Sequence, residues 1–330
     1  MKILSQLAFL LLFVFTIGCS SQQEVPQGPI KETLVLEGVT IPVGFKVETL
    51  YKPQDHEQGS WVSVTKDDKG KLYTSDQYGN LYRVTLPAIG SKDSVNVEKI
   101  DLNIGLAQGL LWHEGVLFVL VNSNEREEIN IKSGFYKITD ASGDGNFDTV
   151  NLIRSFDGDG EHGPHNIILS PDKKSLYLVL GNHTDIPEDL ESVVPKVWDE
   201  DNLLPVIKDP SGHANTRKAP GGWVVKTDFE GKEWTITNVG LRNTYDIAFN
   251  RDGDLFGFDS DMEYDIGMPW YRPIRLCHMI SGAEFGWRTG TGKFTADYPD
   301  NMPGIANLGQ GSPTGLMNGL GLKFPEYYQD

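Results

Sequence analysis

Residues 240–265 read GLRNTYDIAFNRDGDLFGFDSDMEYD. Two short apolar runs, Ile247-Ala248-Phe249 and Leu255-Phe256-Gly257-Phe258, flank the polar turn Asn250-Arg251-Asp252-Gly253-Asp254. Such runs around an Asx/Gly turn predict a β-hairpin. Arg242-Asn243 places a cation and an amide at the hairpin's entrance, and after its second strand Asp259, Asp261, Glu263 and Asp265 fall on alternate residues. Alternate side chains of an extended segment share a face. The four carboxylates are therefore expected to crowd together and to need a counter-cation, a partner chain or open water.

The hairpin plan recurs along the chain. Trp61–Thr65, Leu72–Ser75 and Gly79–Val84 form a first meander; Gln108–Trp112, Val116–Val121 and Gly134–Ile138 form a second. His165–Leu169, Ser175–Leu180 and Gly222–Lys226 form a third, the opening stretch with Pro273–Leu276 a fourth, and Ser312–Leu316 the start of a fifth. Ile41–Leu50 reads as a strand ahead of them. Self-similar meanders of this size predict an all-β chain, a β-propeller of which four to five blades are present. A closed ring protects sheet edges, so the 330 residues are expected to be part of a longer protein. The proline-punctuated stretch from Asp185 to Gly221 interrupts the third meander and reads as a loop on one face of the ring, where function concentrates.

Asp and Glu number 46 against 29 Lys and Arg, a formal net charge of −17. That balance argues against a nucleic-acid phosphate backbone as partner and is also what ordinary solubility requires. At the N-terminus Lys2 precedes the apolar run Leu7–Gly18 and then Cys19-Ser20-Ser21. The run is short for a membrane span and has the layout of a secretory signal over residues 1–18. Its end resembles a bacterial lipobox with Cys19 as the lipidated first residue; Thr16 departs mildly from that pattern, and an ordinary cleaved signal is the alternative. Residues 19–35 then read as a polar tether and 36–330 as the propeller, exported and held to a bacterial membrane by lipid. Only Cys277 remains, so no intramolecular disulfide is expected.

Three places could carry chemistry. In Glu161-His162-Gly163-Pro164-His165-Asn166, His162 is the best base candidate, since an imidazole accepts a proton near neutrality; the alternative is a pair of turn histidines bonded to backbone. His-x-x-His alone argues weakly for zinc, with no Cys or third His at ligand spacing nearby. Asp140, Ser142, Asp144, Asn146 and Asp148 place oxygen donors at alternate positions of a calcium-like loop with Gly145 at the sixth. Asn151 stands where an EF-hand has its bidentate Glu, and an ion-free Asp/Gly turn is the other reading. Gln108, His162 and Arg242-Asn243 stand at the entrances of three successive blades, which propeller geometry would bring to one axial pocket.

With those residues in view, the chain resembles the soluble quinoprotein glucose and sorbosone dehydrogenases, six-bladed propellers that hold pyrroloquinoline quinone (PQQ) and calcium. The likeness rests on Gln108-Gly109-Leu110-Leu111, the segment His162 to Asp172 ending Ser170-Pro171-Asp172, Gly240-Leu241-Arg242-Asn243 and Gly282-Ala283-Glu284-Phe285-Gly286-Trp287, over roughly residues 40–325. It is similar too to the membrane-bound dehydrogenase-type propellers, often fused to a haem-binding cytochrome c module. The resemblance implies His162 as the base that takes a sugar or alcohol hydroxyl proton while hydride passes to the quinone. It also implies Arg242 and Asn243 on the cofactor, Gln108 on the substrate side, and a cytochrome c as electron acceptor. Calcium would bind near Asp259–Asp265. Two departures stand out. Asn182 occupies the place of the family's usual Asp beside the base, and the later-blade cations that grip the quinone have no counterpart before residue 330. Two other readings stay open: a non-catalytic surface propeller binding glycans or a redox partner, and a calcium-dependent lactonase-type hydrolase.

Overall fold

Val116-Leu117-Phe118-Val119-Leu120-Val121 is apolar at every position, a pattern suited to a strand covered on both faces. The computed structural model, which describes residues 33–36, 39–123, 130–198, 205–295 and 297–329, provides both covers. Phe118 and Leu120 enter one apolar cluster, while Leu117, Val119 and Val121 enter another. The period-two alternation of a strand thus feeds two cores rather than a core and solvent.

Residues 49–320 form one compact unit, the body of the fold. Ahead of it, β1 (Thr33–Leu36) pairs antiparallel with β2 (Val39–Pro42). The first sheet of the body is β3 (Trp61–Lys66), β4 (Leu72–Asp76), β5 (Leu81–Thr85) and β6 (Asn96–Lys99). The second is β7 (Ala107–His113), β8 (Val116–Val121), β9 (Gly134–Thr139) and β10 (Thr149–Ser155). The third runs β11 (Pro164–Leu169), β12 (Leu176–Leu180), β14 (Gly222–Thr227) and β15 (Trp234–Leu241), extended by the short parallel pieces β13 (Glu191–Ser192) and β19 (Ala283–Glu284). The fourth is β16 (Ile247–Phe249), β17 (Leu255–Asp259), β18 (Ile274–His278) and β20 (Ala306–Gly309).

The first strands of these sheets lie beside one another in chain order, β3 against β7, β7 against β11 and β11 against β16. That is the hub of a propeller, and the described residues form an all-β propeller of four blades. The hub contacts are polar and close. Thr65 Oγ1 accepts from Trp112 N at 3.0 Å, Ser75 Oγ donates to Ala107 O at 2.8 Å, and Asn166 Nδ2 donates to Asp246 Oδ1 at 2.6 Å. A Cβ on Gly109 would stand 2.8 Å from the Asn166 Cα and 2.9 Å from the His165 carbonyl oxygen. Glycine is required there because β11 backbone passes where a side chain would be.

Apolar clusters fill the spaces between blades. Tyr73, Leu81, Leu110 and Ile138 join the first two; Phe135, Leu178, Trp223 and Trp234 join the second and third; Val179, Leu241, Ile247, Cys277 and Phe285 join the third and fourth. The turns between strands reuse one device. Asp67, Asp76 and Asn250 each accept from the backbone N–H groups two and four residues ahead, an Asx arrangement that closes the turn locally. The unit of residues 1–48 and 321–330 carries, besides the β1–β2 hairpin, an aromatic group in which Phe45 meets Phe324 and Tyr328 edge-on at 5.3 and 5.4 Å.

Several expectations need correction. The strand expected over Ile41–Leu50 ends at Pro42, which has no N–H to continue a ladder. No strand forms at Ser312–Leu316; Leu316 N instead donates to Asp246 Oδ2 at 2.8 Å. Gly222–Lys226 does not close the third blade, because β15 pairs outside it. Residues 1–32, with the expected signal, Cys19 and most of the tether, lie outside the described residues.

Candidate functional site

The site is built where three strand ends of the third blade meet. His162 closes a 3-10 turn, Gly160–His162, immediately ahead of β11, and its side chain is fully buried. Asn182 and His183 follow β12, and Arg242 follows β15. Backbone bonds lock these ends together: Gly181 N to Gly163 O at 2.9 Å, His183 N to His162 O at 3.0 Å, and Asn182 N to Arg242 O at 2.9 Å. Packing is so close that a Cβ on Gly181 would lie 2.3 Å from the His162 carbonyl oxygen. Sequence-distant residues are therefore fixed relative to one another by main chain, not by flexible side chains.

Asn182 stands in for the carboxylate expected beside the base. Its Oδ1 lies 2.6 Å from His162 Nδ1. An amide oxygen can only accept, so Nδ1 carries the proton and the lone pair is left on Nε2. Burial, and after it the nearby Arg242 charge, pushes the His162 pKa down to about 2; the ring is neutral throughout the physiological range. Burial and then Arg217 hold His183 down at about 4.

Arg242 and Asn243 are held by Asp259 at the end of β17. The buried Oδ1 accepts from Arg242 N at 2.8 Å, Asn243 N at 3.0 Å and Thr244 Oγ1 at 3.3 Å, while Oδ2 pairs with the buried Arg275 at 2.9 Å. The Arg242 guanidinium donates to Ser260 Oγ at 2.9 Å and to Glu263 Oε2 at 3.3 Å. Asn243 Oδ1 accepts from His165 Nε2 at 2.5 Å; the His165 ring packs on Tyr245, centroids 4.7 Å apart, and the Tyr245 hydroxyl donates to Gln108 Oε1 at 2.8 Å. Gln108, His165, Asn243 and Tyr245 thus form one polar chain across three blades, and His162, Asn182 and Arg242 form a second beside it. Beside Arg242 lies a shallow, mostly polar depression lined by Asp209, His213, Arg242, Glu263, Tyr264 and Trp287.

The four alternating carboxylates do not share a face. The strand that would align them stops at Asp259; beyond it Met262 bridges to Arg272 and Asp265–Met268 forms a tight turn. Each acid has its own partner: Asp259 takes Arg275, Asp261 accepts from Tyr271, Glu263 pairs with Arg242, and Asp265 with Arg272 at 2.6 Å. The expected crowding, and with it the argument for a cation bound by all four, is removed. The Asp140–Asp148 loop joins β9 to β10 on the outside of its blade. Asp140 accepts from the N–H groups of Gly143, Asp144 and Gly145, Asp144 from Asn146, and Asp148 from Ala141 and Ser142. The Ala141 N–H, the Thr149 hydroxyl and the Ser142 N–H keep Asp148 down at about 2. Asn146 Oδ1 accepts from Arg83, and Ser142 Oγ donates to Asp140. These oxygens serve as turn acceptors.

His162 and His165, three residues apart, turn to different partners. His165 turns onto Asn243 and Tyr245, and the rings that join His162 are His183 and His213, at 4.7 and 4.8 Å between centroids. His213 sits in the Asp185–Gly221 insertion, so the one legible signal was that insertion's placement on a functional face.

No family model matches the chain, and no curated protein matches it. Solved structures do. The chain is similar to the PQQ-bound form of aldose sugar dehydrogenase from Streptomyces coelicolor, with TM-score 0.51 and 13% identity over 76% of this chain and 68% of that one. It is similar also to an oxidoreductase of Thermus thermophilus described as a glucose dehydrogenase, with TM-score 0.51 and 16% identity over 77% of this chain and 72% of that one. At such identities the likeness establishes the fold: these four blades are built like those of propeller sugar dehydrogenases.

Proposed function

We propose that this propeller is a PQQ-dependent dehydrogenase that oxidises a hydroxyl of a sugar or alcohol. The observation that carries the reading is the His162 lone pair, which the Asn182 contact at Nδ1 leaves on Nε2. The residues fit the cofactor in kind. Arg242 lines the depression and offers positive charge to an anionic quinone, and Trp287 offers a flat apolar wall. Asp209 and Glu263 line the same depression, Asp209 Oδ1 accepting from Ser211 and Glu263 Oε2 from Arg242. When bound, PQQ supplies the acceptor for the hydride that leaves the substrate carbon. The chain's own part is to accept the hydroxyl proton at His162 Nε2, to hold that ring through Asn182, and to keep Asn243 in place through Asp259 and His165. A lipid anchor at Cys19 and a cytochrome c acceptor belong to the same reading.

The test is dye reduction over a sugar and alcohol panel after addition of PQQ and calcium, with His162→Ala alongside. Turnover that His162→Ala abolishes supports the proposal; protein that neither binds PQQ nor turns over counts against it. The complete burial of the His162 side chain favours a second reading, a non-catalytic propeller that binds glycans. Glycan binding retained in His162→Ala, with no turnover in either protein, would establish that one.

A further inference from the structure

His162, His183 and His213 reach one point from three segments: the turn before β11, the end of β12, and the insertion between β12 and β14. One ring nitrogen of each lies within 4.8 Å of one from each of the others. The Nε2 atoms of all three are buried and have no hydrogen-bond partner among the described residues. Leaving a buried polar atom unpaired is costly, and folded proteins leave few. Three at one point call for a shared ligand.

We propose that His162, His183 and His213 form a binding site for a divalent transition-metal ion of the zinc class. Neutral imidazole suits zinc, copper, nickel and iron, whereas calcium takes oxygen donors. The site is thus a different one from any that the fold's calcium would use. Asn182 provides the outer support such ligands need: it takes the Nδ1–H of His162, fixes the ring and leaves Nε2 free for metal. At Zn–N distances of about 2.0–2.1 Å the ligand nitrogens stand roughly 3.4 Å apart. The nitrogens, within 4.8 Å of one another, would draw together on binding. Three histidines leave the fourth position open for water or a ligand oxygen, as catalytic zinc sites do. Glu161 Oε1, 4.0 Å from His162 Nε2, stands at its edge.

The assignment goes beyond the dehydrogenase reading and does not rest on it. One lone pair cannot hold a metal and take a substrate proton, so bound metal would silence His162 as a base. The full chain, freed of metal with a chelator, is titrated with Co²⁺ alone and read by its visible ligand-field bands, with Zn²⁺ as competitor. Expected are saturation at one Co²⁺ per chain with four-coordinate bands, displacement by Zn²⁺, and affinity at least ~10-fold weaker in His183→Ala and His213→Ala. His278→Ala, whose ring pairs with Asp254 outside the cluster, should bind as wild type does. A Zn²⁺-dependent rise in the melting temperature of the wild type, absent from His213→Gln, gives a second readout if an alanine variant folds poorly. No saturable binding by folded wild type, or unchanged binding in both cluster variants, overturns the proposal. No PQQ is present in either measurement, so its failure and the failure of the dehydrogenase reading are told apart.

Discussion

Asp259→Ala separates a structural carboxylate from a metal ligand. Asp259 is fully buried and faces Arg275, itself 5% exposed, at 2.9 Å. Its other oxygen receives two backbone N–H groups and the Thr244 hydroxyl. Truncation leaves the Arg275 cation buried without its partner, and breaking a buried pair from one side costs about 3–5 kcal/mol. Arg275 also lies over the Phe294 ring at 4.0 Å; a cation–π contact of up to about 2 kcal/mol cannot replace the carboxylate. Large domains lose about 2 °C of melting temperature per kcal/mol, so a fall of roughly 6–10 °C is expected. The assay is thermal unfolding by tryptophan fluorescence with wild type and variant both in EDTA. A metal-ligand role predicts that the difference vanishes once metal is stripped from both. A variant that melts within about 2 °C of wild type in EDTA refutes the structural role of this carboxylate.

Gly109→Ala would drive a Cβ to 2.8 Å from β11 backbone; the hub strands must part, and overpacking of this kind costs about 1–3 kcal/mol, read as a lower urea midpoint at unchanged slope. His165 is buried at 1% exposure with its pKa pushed down to about 4 by burial. Its folded value lies below the unfolded value of about 6.5, so the stability it protects is intact above about pH 6.5 and lost as pH falls toward 4, by about 1.4 kcal/mol per pH unit and about 3 kcal/mol in all. Urea midpoints that do not drop between about pH 7 and about pH 4.5 would contradict that assignment.

The blades were legible because their signals are local. Asn250 and Gly253 announce the turn between β16 and β17, and Gly253 adopts the positive φ of 88° that the turn asks for. The strand β15 was not legible, since buried Thr237 and Asn238 interrupt its apolar run. Asn238 sits inside only because its Nδ2 reaches the Ile280 carbonyl at 2.7 Å, a partner no window of neighbouring residues contains. The reading of β17 failed one residue past its end. Alternation extended through Asp265 only if the strand did, and Arg275 and Arg272 draw Asp259 and Asp265 to separate cations.

The same contrast explains why carboxylates misled and histidines were missed. An Asp in a Gly-rich turn has backbone donors close by in the chain, and Asp140, Asp148 and Asp228 are all held by them. Spacing alone therefore counts as available ligands oxygens that the turn has already engaged. A buried neutral imidazole has two ring nitrogens on opposite sides and rarely satisfies both locally. His162 gives one to Asn182 and keeps the other unpaired. Its counterparts arrive from the end of another strand and from a proline-rich insertion, positions related to it only by the closure of the blade. Clusters that depend on tertiary closure are invisible to spacing, and His162 and His183 meet because the backbone of Gly163, Gly181 and Arg242 is hydrogen-bonded into one corner, which His213 reaches from the insertion.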